Sequence, residues 1–259
     1  MNGETILVPR AANPVSHRLA RLAFMAACAS LLSVVLAGPL YRFIVEFDVA
    51  IALFRYGFYL GAAAVALGLA TVMPTRPGGG RRGFVAAVLA AVIGTVAIWT
   101  PFKWFIDAYY APHINDITTD AADPPQLVVT LQLRRNALTS PTYAGASFAE
   151  QQQAAYPDIK PIRHALPPVE AFKRVDRVAG AMGWEVVARA PGDGRGEGRL
   201  EAVDTTAWFG FQDDIVVRLR PDGTGSRIDI RSKSRVGTSD LGANARRIRD
   251  FARRLAAEP

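Results

Sequence analysis

Uncharged apolar runs and short alternating segments divide the chain. Residues 22–40, 56–73 and 83–99 contain no charged side chain. Each is close to the about 20 residues needed to cross about 30 Å of hydrocarbon. Three such runs joined by short charged connections predict spanning helices rather than buried core helices. After residue 105 the pattern changes. Segment 115–125, with Asn115, Asp116, Asp120, Asp123, Pro124 and Pro125, favours irregular turns. Residues 126–133 predict a short strand, and 140–168 a loop with a short helix near 147–155. Phe172, Val175, Val178, Ala179 and Met182 recur at helical spacing, so 169–182 predicts a helix that Gly183 stops.

Strands are predicted at 185–190, 199–206, 213–220 and 226–234. Alternation puts Ile215, Val217, Leu219, Ile228 and Ile230 on one face, and Asp214, Arg218, Arg220, Arg227, Asp229, Arg231 and Lys233 on the other. A hairpin that keeps both faces consistent has two registers. Pairing Arg218 with Asp229 and Asp214 with Lys233 is electrostatically better than setting Arg218 opposite Arg227. Residues 240–258 predict an amphipathic helix with Leu241, Ala245, Ile248, Ala252 and Leu255 on one stripe, capped by Thr238 or Ser239 with Asp240 in the first turn. The expected architecture is α+β: a membrane anchor over 1–105, then a domain over 106–259 with an antiparallel sheet and helices packed on one face.

Charge orients the anchor. Of the 30 Lys and Arg and 23 acids in the 259 residues, the first 105 hold nine and three, so most of the net charge of +7 lies there. Arg10, Arg18 and Arg21 precede the first run and Arg76, Arg81 and Arg82 join the second to the third, which places both segments in the cytoplasm. The connection 41–55 and everything after Trp99 are then expected outside, in the periplasm or cell envelope of an inner-membrane protein. Tyr41, Phe47, Tyr56, Trp99, Trp104 and other aromatics fall at the outer ends, where rings favour the interface. A cleaved signal peptide over 1–37 is the alternative.

No ionisable group lies within the runs, which argues against transport or proton relay. Gly57 with Gly61, and Ala86, Ala90 and Gly94, form small-residue stripes suited to helix packing within the chain or to a dimer face. Cys28 is the single cysteine, so no intramolecular disulfide forms. The near-neutral balance after residue 105 excludes a nucleic-acid-binding domain.

Little catalytic material is present. His113 and His164 are the only histidines of the second part, so no metal site or cofactor is expected. Asp213 and Asp214 are adjacent and point to opposite sides of a strand, which disfavours an acid–base pair. The glycine run 191–198 lacks the ending of a phosphate-binding loop. The segment from Arg231 to Asn244 stands out because hydroxyls, guanidinium groups and helix N-terminal amides gather there. Arg231, Ser232, Ser234, Arg235, Asp240, Asn244 and Arg247 are therefore candidate ligand-binding residues for a phosphate or carboxylate; the alternative is a capped turn with solvated arginines.

Asn115-Asp116-Ile117-Thr118-Thr119-Asp120, Gly210-Phe211-Gln212-Asp213-Asp214, and Arg231 to Gly237 followed by Asp240-Leu241-Gly242-Ala243-Asn244 and Arg247-Ile248 resemble the domain of unknown function 1499 family, over about residues 112–257. Several bacterial relatives similarly carry membrane helices ahead of the domain, and the resemblance implies no catalytic residue, cofactor or substrate. The function expected is a membrane-anchored module that binds an anionic small molecule, a lipid headgroup or a membrane protein. The alternative is a hydrolase acting on an anionic envelope substrate, with Asp213, Asp214 or Asp240 beside Arg231 and Arg235.

Overall fold

A computed structural model of the chain describes residues 14–76, 83–193 and 196–258 and divides into two compact units, 1–106 and 107–259. Arg10, Arg81 and Arg82, used above for orientation, and Gly194 and Arg195 of the glycine run lie outside the described residues.

The first unit holds α1 (Pro14–Phe43), α2 (Phe47–Val72) and most of α3 (Phe84–Tyr110). All three are long and apolar enough to cross a membrane. They extend beyond the uncharged runs, so the expected connection 41–55 shrinks to residues 44–46. Charged residues at helix ends do not break a helix when their heads reach the interface; Arg55, inside α2, is exposed and lies 5.4 Å from the centre of the Tyr56 ring.

The small-residue stripes serve packing within the chain. A Cβ added at Gly57 would lie 2.8 Å from Val34, and one at Gly94 3.0 Å from the Gly61 carbonyl. The Ser30 hydroxyl donates to the Gly57 carbonyl at 2.6 Å. Ala90 is buried with Ala23, Ala27 and Ala64.

The second unit is an antiparallel sheet with its two longest helices against one face. In chain order it contains β1 (Asp116–Thr118), α4 (Val129–Gln132), α5 (Ala146–Ala155), β2 (Ile162–His164), α6 (Pro168–Ala181), β3 (Glu185–Ala190), β4 (Gly198–Thr205), β5 (Gln212–Asp222), β6 (Gly225–Ser234) and α7 (Ala243–Ala257). The strand order is β1-β6-β5-β4-β3, and β2 also pairs with β6. Arg218 stands opposite Asp229 and Asp214 opposite Lys233, the register that charge pairing favours. α6 and α7 pack through Phe172, Val175, Val178, Ile248, Phe251 and Leu255 on Leu200, Ile215, Val217, Leu219, Ile228 and Ile230. Trp184 stacks on Phe251 at 5.5 Å.

Three segments differ from expectation. Within the segment 115–125, expected to be irregular, residues 116–118 form β1, which pairs with β6, Asp116 standing opposite Lys233. Residues 126–133 are not a strand. The fully buried Glu201 carboxylate accepts the amides of Val128, Val129 and Thr130 at 2.9–3.2 Å and the Thr130 hydroxyl at 2.8 Å, so a charge from the sheet starts a helical turn where the local pattern alternates. The loop 140–168 contains α5 as expected but also β2, whose three residues are too few to show a period.

α7 starts later than residue 240. Leu241 and Gly242 both adopt positive φ, 53° and 75°, so the chain turns sharply first. Asp240, ahead of the helix, supplies the cap: its carboxylate accepts the amides of Gly242 and Asn244 at 2.8 Å. This replaces the cap expected from Thr238 or Ser239.

Candidate functional site

Period-two alternation divides the candidate residues between the two faces of β6. Arg231 and Arg235 join Asp214, Arg218, Asp229 and Lys233 on the face away from α6 and α7. That face, expected to be polar and solvated, is covered by the segment 119–143, termed the strap. Asp214, Asp229 and Arg231 are each 0% exposed.

Three carboxylates organise the covered face. Asp116 accepts both Nε and Nη2 of Arg231 at 2.8 Å and Lys233 Nζ at 3.0 Å. Arg231 also donates to the strap carbonyls of Pro125 and Pro141 at 3.1 and 2.9 Å, and its guanidinium lies 5.6 Å from the Tyr143 ring centre. Burial pushes the Lys233 ammonium below its ordinary value, an effect Asp116 opposes. Asp214 binds Arg235 at 2.7 Å and Arg134 of the strap. Arg235 continues to Gln212 Oε1 and to the Leu133 carbonyl, at 2.7 and 3.1 Å. Asp229, with Asp120 and Asp123, holds Arg218, Arg220 and Arg227 at 2.6–3.1 Å.

Ser232, Ser234, Asn244 and Arg247 lie on the other face, at the edge of the helix-covered core. The Ser232 hydroxyl donates to Asn244 Oδ1 at 2.7 Å, and Asn244 Nδ2 donates to Ser234 Oγ and the Asn115 carbonyl at 3.0 and 3.1 Å. Arg247 joins this group through Ser232 at 2.9 Å and reaches Asp213 at 2.6 Å and Asp204 at 2.7 Å. Asp213 and Asp214 therefore do point to opposite sides and serve different arginines.

Asp240 adjoins this second group, its carboxylate accepting the Asn244 amide at 2.8 Å. It fills the helix N-terminal amides that an external anion would need, and burial raises its carboxyl above the ordinary value. Tyr156, whose hydroxyl is raised by burial and then by Asp240, and Arg249, 5.3 Å from the Tyr156 ring centre, lie beside it. The structure thus brings Ser232, Ser234, Asp240, Asn244 and Arg247 together but separates them from Arg231 and Arg235.

Sequence reasoning missed Arg134, Asp116, Glu201 and Tyr143. The available signal was the density of charge on β5 and β6, which exceeds what one solvated sheet face needs. Chemically, the arrangement fixes the strap: every carboxylate described on the covered face holds at least one cation. Among the described residues no group of three His, Cys, Asp or Glu is placed to hold a metal ion.

Comparison with known proteins found no matching curated protein and no matching solved structure. A sequence model of the family described as protein of unknown function, DUF1499, matches residues 116–255. That span starts at the first residue of β1, ends in the last turn of α7 and takes in the strap and both arginine groups. It covers more than half of the chain, which therefore belongs to the DUF1499 family.

Proposed function

We propose that residues 107–259 are a membrane-tethered interaction module on the non-cytoplasmic side of the bilayer, which engages a protein partner through the outer surface of the strap. The observation that carries this is the division of labour in the strap. Arg134 and Thr130 turn inward to Asp214 and Glu201, and the Pro125 and Pro141 carbonyls to Arg231, while Val128, Leu131 and Leu133 are 45–49% exposed within six residues. Apolar groups concentrated outside, over a face already neutralised inside, suit protein contact better than capture of an anion. An anion at Arg231 or Arg235 would have to displace Asp116 or Asp214 from buried bidentate contacts. Hydrolytic chemistry gains little support, because Asp213 and Asp214 are both held by arginines. The non-cytoplasmic placement is favoured by Arg18 and Arg21 at the start of α1 and Arg76 after α2.

A photo-crosslinking residue placed at Leu131, compared with one at the exposed Lys160, tests the reading in native membranes. The expected result is a discrete protein adduct from position 131 that is absent from position 160 and is suppressed by Leu133→Asp. Equal labelling from both positions, or none from 131, would overturn it.

A further inference from the structure

The strand ends place four segments at one end of the second unit. The chain arrives through Tyr109 and Tyr110, 81% and 78% exposed, and then joins the sheet: the Ser234 amide donates to the Asn115 carbonyl at 2.9 Å, and the Ser239 hydroxyl to the Pro112 carbonyl at 2.9 Å. The same end of β5 and β6 receives the strap, because the Leu138 amide donates to the Arg235 carbonyl at 2.8 Å and the Arg235 amide to the Gln212 carbonyl at 3.0 Å. The β4–β5 turn closes there as well, with the Thr206 amide on the Phe211 carbonyl at 2.9 Å. That turn carries Trp208, Phe209 and Phe211, the last two stacked at 4.7 Å.

This end exposes Tyr109, Tyr110 and Leu138 among polar side chains such as Asn136, Thr206 and Thr238. Leu138 is 66% exposed, and Trp208 is half-buried. None of the exposed side chains in segments 109–113, 133–138, 205–211 and 236–239 is acidic, whereas His113 and Arg135 are exposed. The opposite end, at the β5–β6 turn, exposes Asp222 and lies 11 residues of β5 away, about 35 Å at strand rise.

We infer that this end docks on the headgroup region of the lipid bilayer, with Leu138 and the aromatic β4–β5 turn entering the interface and Arg135 contacting anionic headgroups. Three points support it. The chain reaches this end directly from the last helix able to span a membrane. Trp and Tyr favour the water–lipid boundary. Basic residues without exposed acids complement an anionic surface. The inference rests on the helices crossing the bilayer, but not on the protein partner proposed for Val128, Leu131 and Leu133.

Nitroxide accessibility in the full chain, reconstituted into nanodiscs of phosphatidylethanolamine and phosphatidylglycerol, provides the test. The native Cys28, exposed on α1, is labelled first as a control for spanning. Leu138→Cys and Thr224→Cys are then each labelled in a Cys28→Ala background. Docking predicts oxygen-to-nickel collision ratios severalfold higher at 138 than at 224, reduced at 138 by Arg135→Glu. A water-like ratio at Cys28 overturns both spanning and docking. A lipid-like ratio at Cys28 with equal, water-like ratios at 138 and 224 overturns docking alone. Label immobilisation at 138 without oxygen preference, or dipolar broadening between copies, assigns this end to a protein contact and likewise overturns it.

Discussion

Arg231 closes on Asp116 with two parallel hydrogen bonds of 2.8 Å between side chains that are both 0% exposed. Lys233 shares the same carboxylate, so one anion balances two buried cations at the centre of the covered face.

Asp116→Asn should therefore be more damaging than a typical surface change. Breaking a buried pair leaves uncompensated charge and costs about 3–5 kcal/mol. Urea unfolding followed through Trp184, buried against Phe251, should show a midpoint well below that of the unaltered chain. A midpoint within error of it would mean that the pair does not hold the face closed.

Glu201→Gln addresses the strap alone. The carboxylate gathers three amides and a hydroxyl, and an amide cannot accept at both ends. The loss should be about 1–3 kcal/mol. Hydrogen exchange should accelerate at 128–130 before it does in β5 or β6; uniform acceleration across the sheet would contradict a local role.

Acid stability should respond oppositely at two carboxylates. Asp158 is held below its ordinary value of 3.8 by its hydrogen bond to Arg249, so its contribution is complete above that value and disappears as pH falls through the folded one. Asp240 is raised by burial, so its contribution is complete below 3.8 and disappears as pH rises through its folded value. Relative to the unaltered chain, Asp158→Asn should gain stability as pH drops below about 4, whereas Asp240→Asn should lose it between neutral pH and 4. Unfolding midpoints measured across that range report both slopes.

Gly225→Ala should displace β2. A Cβ there would fall 2.3 Å from the His164 carbonyl, and overpacking of this kind costs about 1–3 kcal/mol. Amide protection should fall at 162–164 and 226–228, where β2 pairs with β6, and persist in β4.

How much of this was legible in the sequence follows from the range of the forces involved. The β5–β6 register could be read because Asp214, Arg218, Asp229 and Lys233 carry opposite charges at alternating positions of neighbouring strands. α6 and α7 could be read because their apolar positions recur along one segment. β1 and β2 could not, since three residues show no period and both are created by β6, more than 60 residues later. The turn at 129–132 depends on Glu201, some 70 residues away.

The candidate site was only partly legible for the same reason. Arg231, Ser232, Ser234 and Arg235 are contiguous in sequence, yet odd and even positions of a strand face different layers. Their identities were informative about charge, whereas their partners Asp116, Asp214 and Asn244 arrive from three separate segments. Burial of the charged face is invisible without the strap, which has no regular pattern of its own.

The separation of 115 residues between Asp116 and Arg231 also imposes an order of assembly. β1 and the strap are synthesised first, but their partners in β6 come near the end of the chain, and non-local contacts of this kind slow folding. Until synthesis is almost complete, Asp116, Arg134 and the amides of 128–130 must stay hydrated. A chain ending before β6 would therefore lack the strand that joins its earliest segment to the rest, and be left with an open set of charges for quality control to recognise.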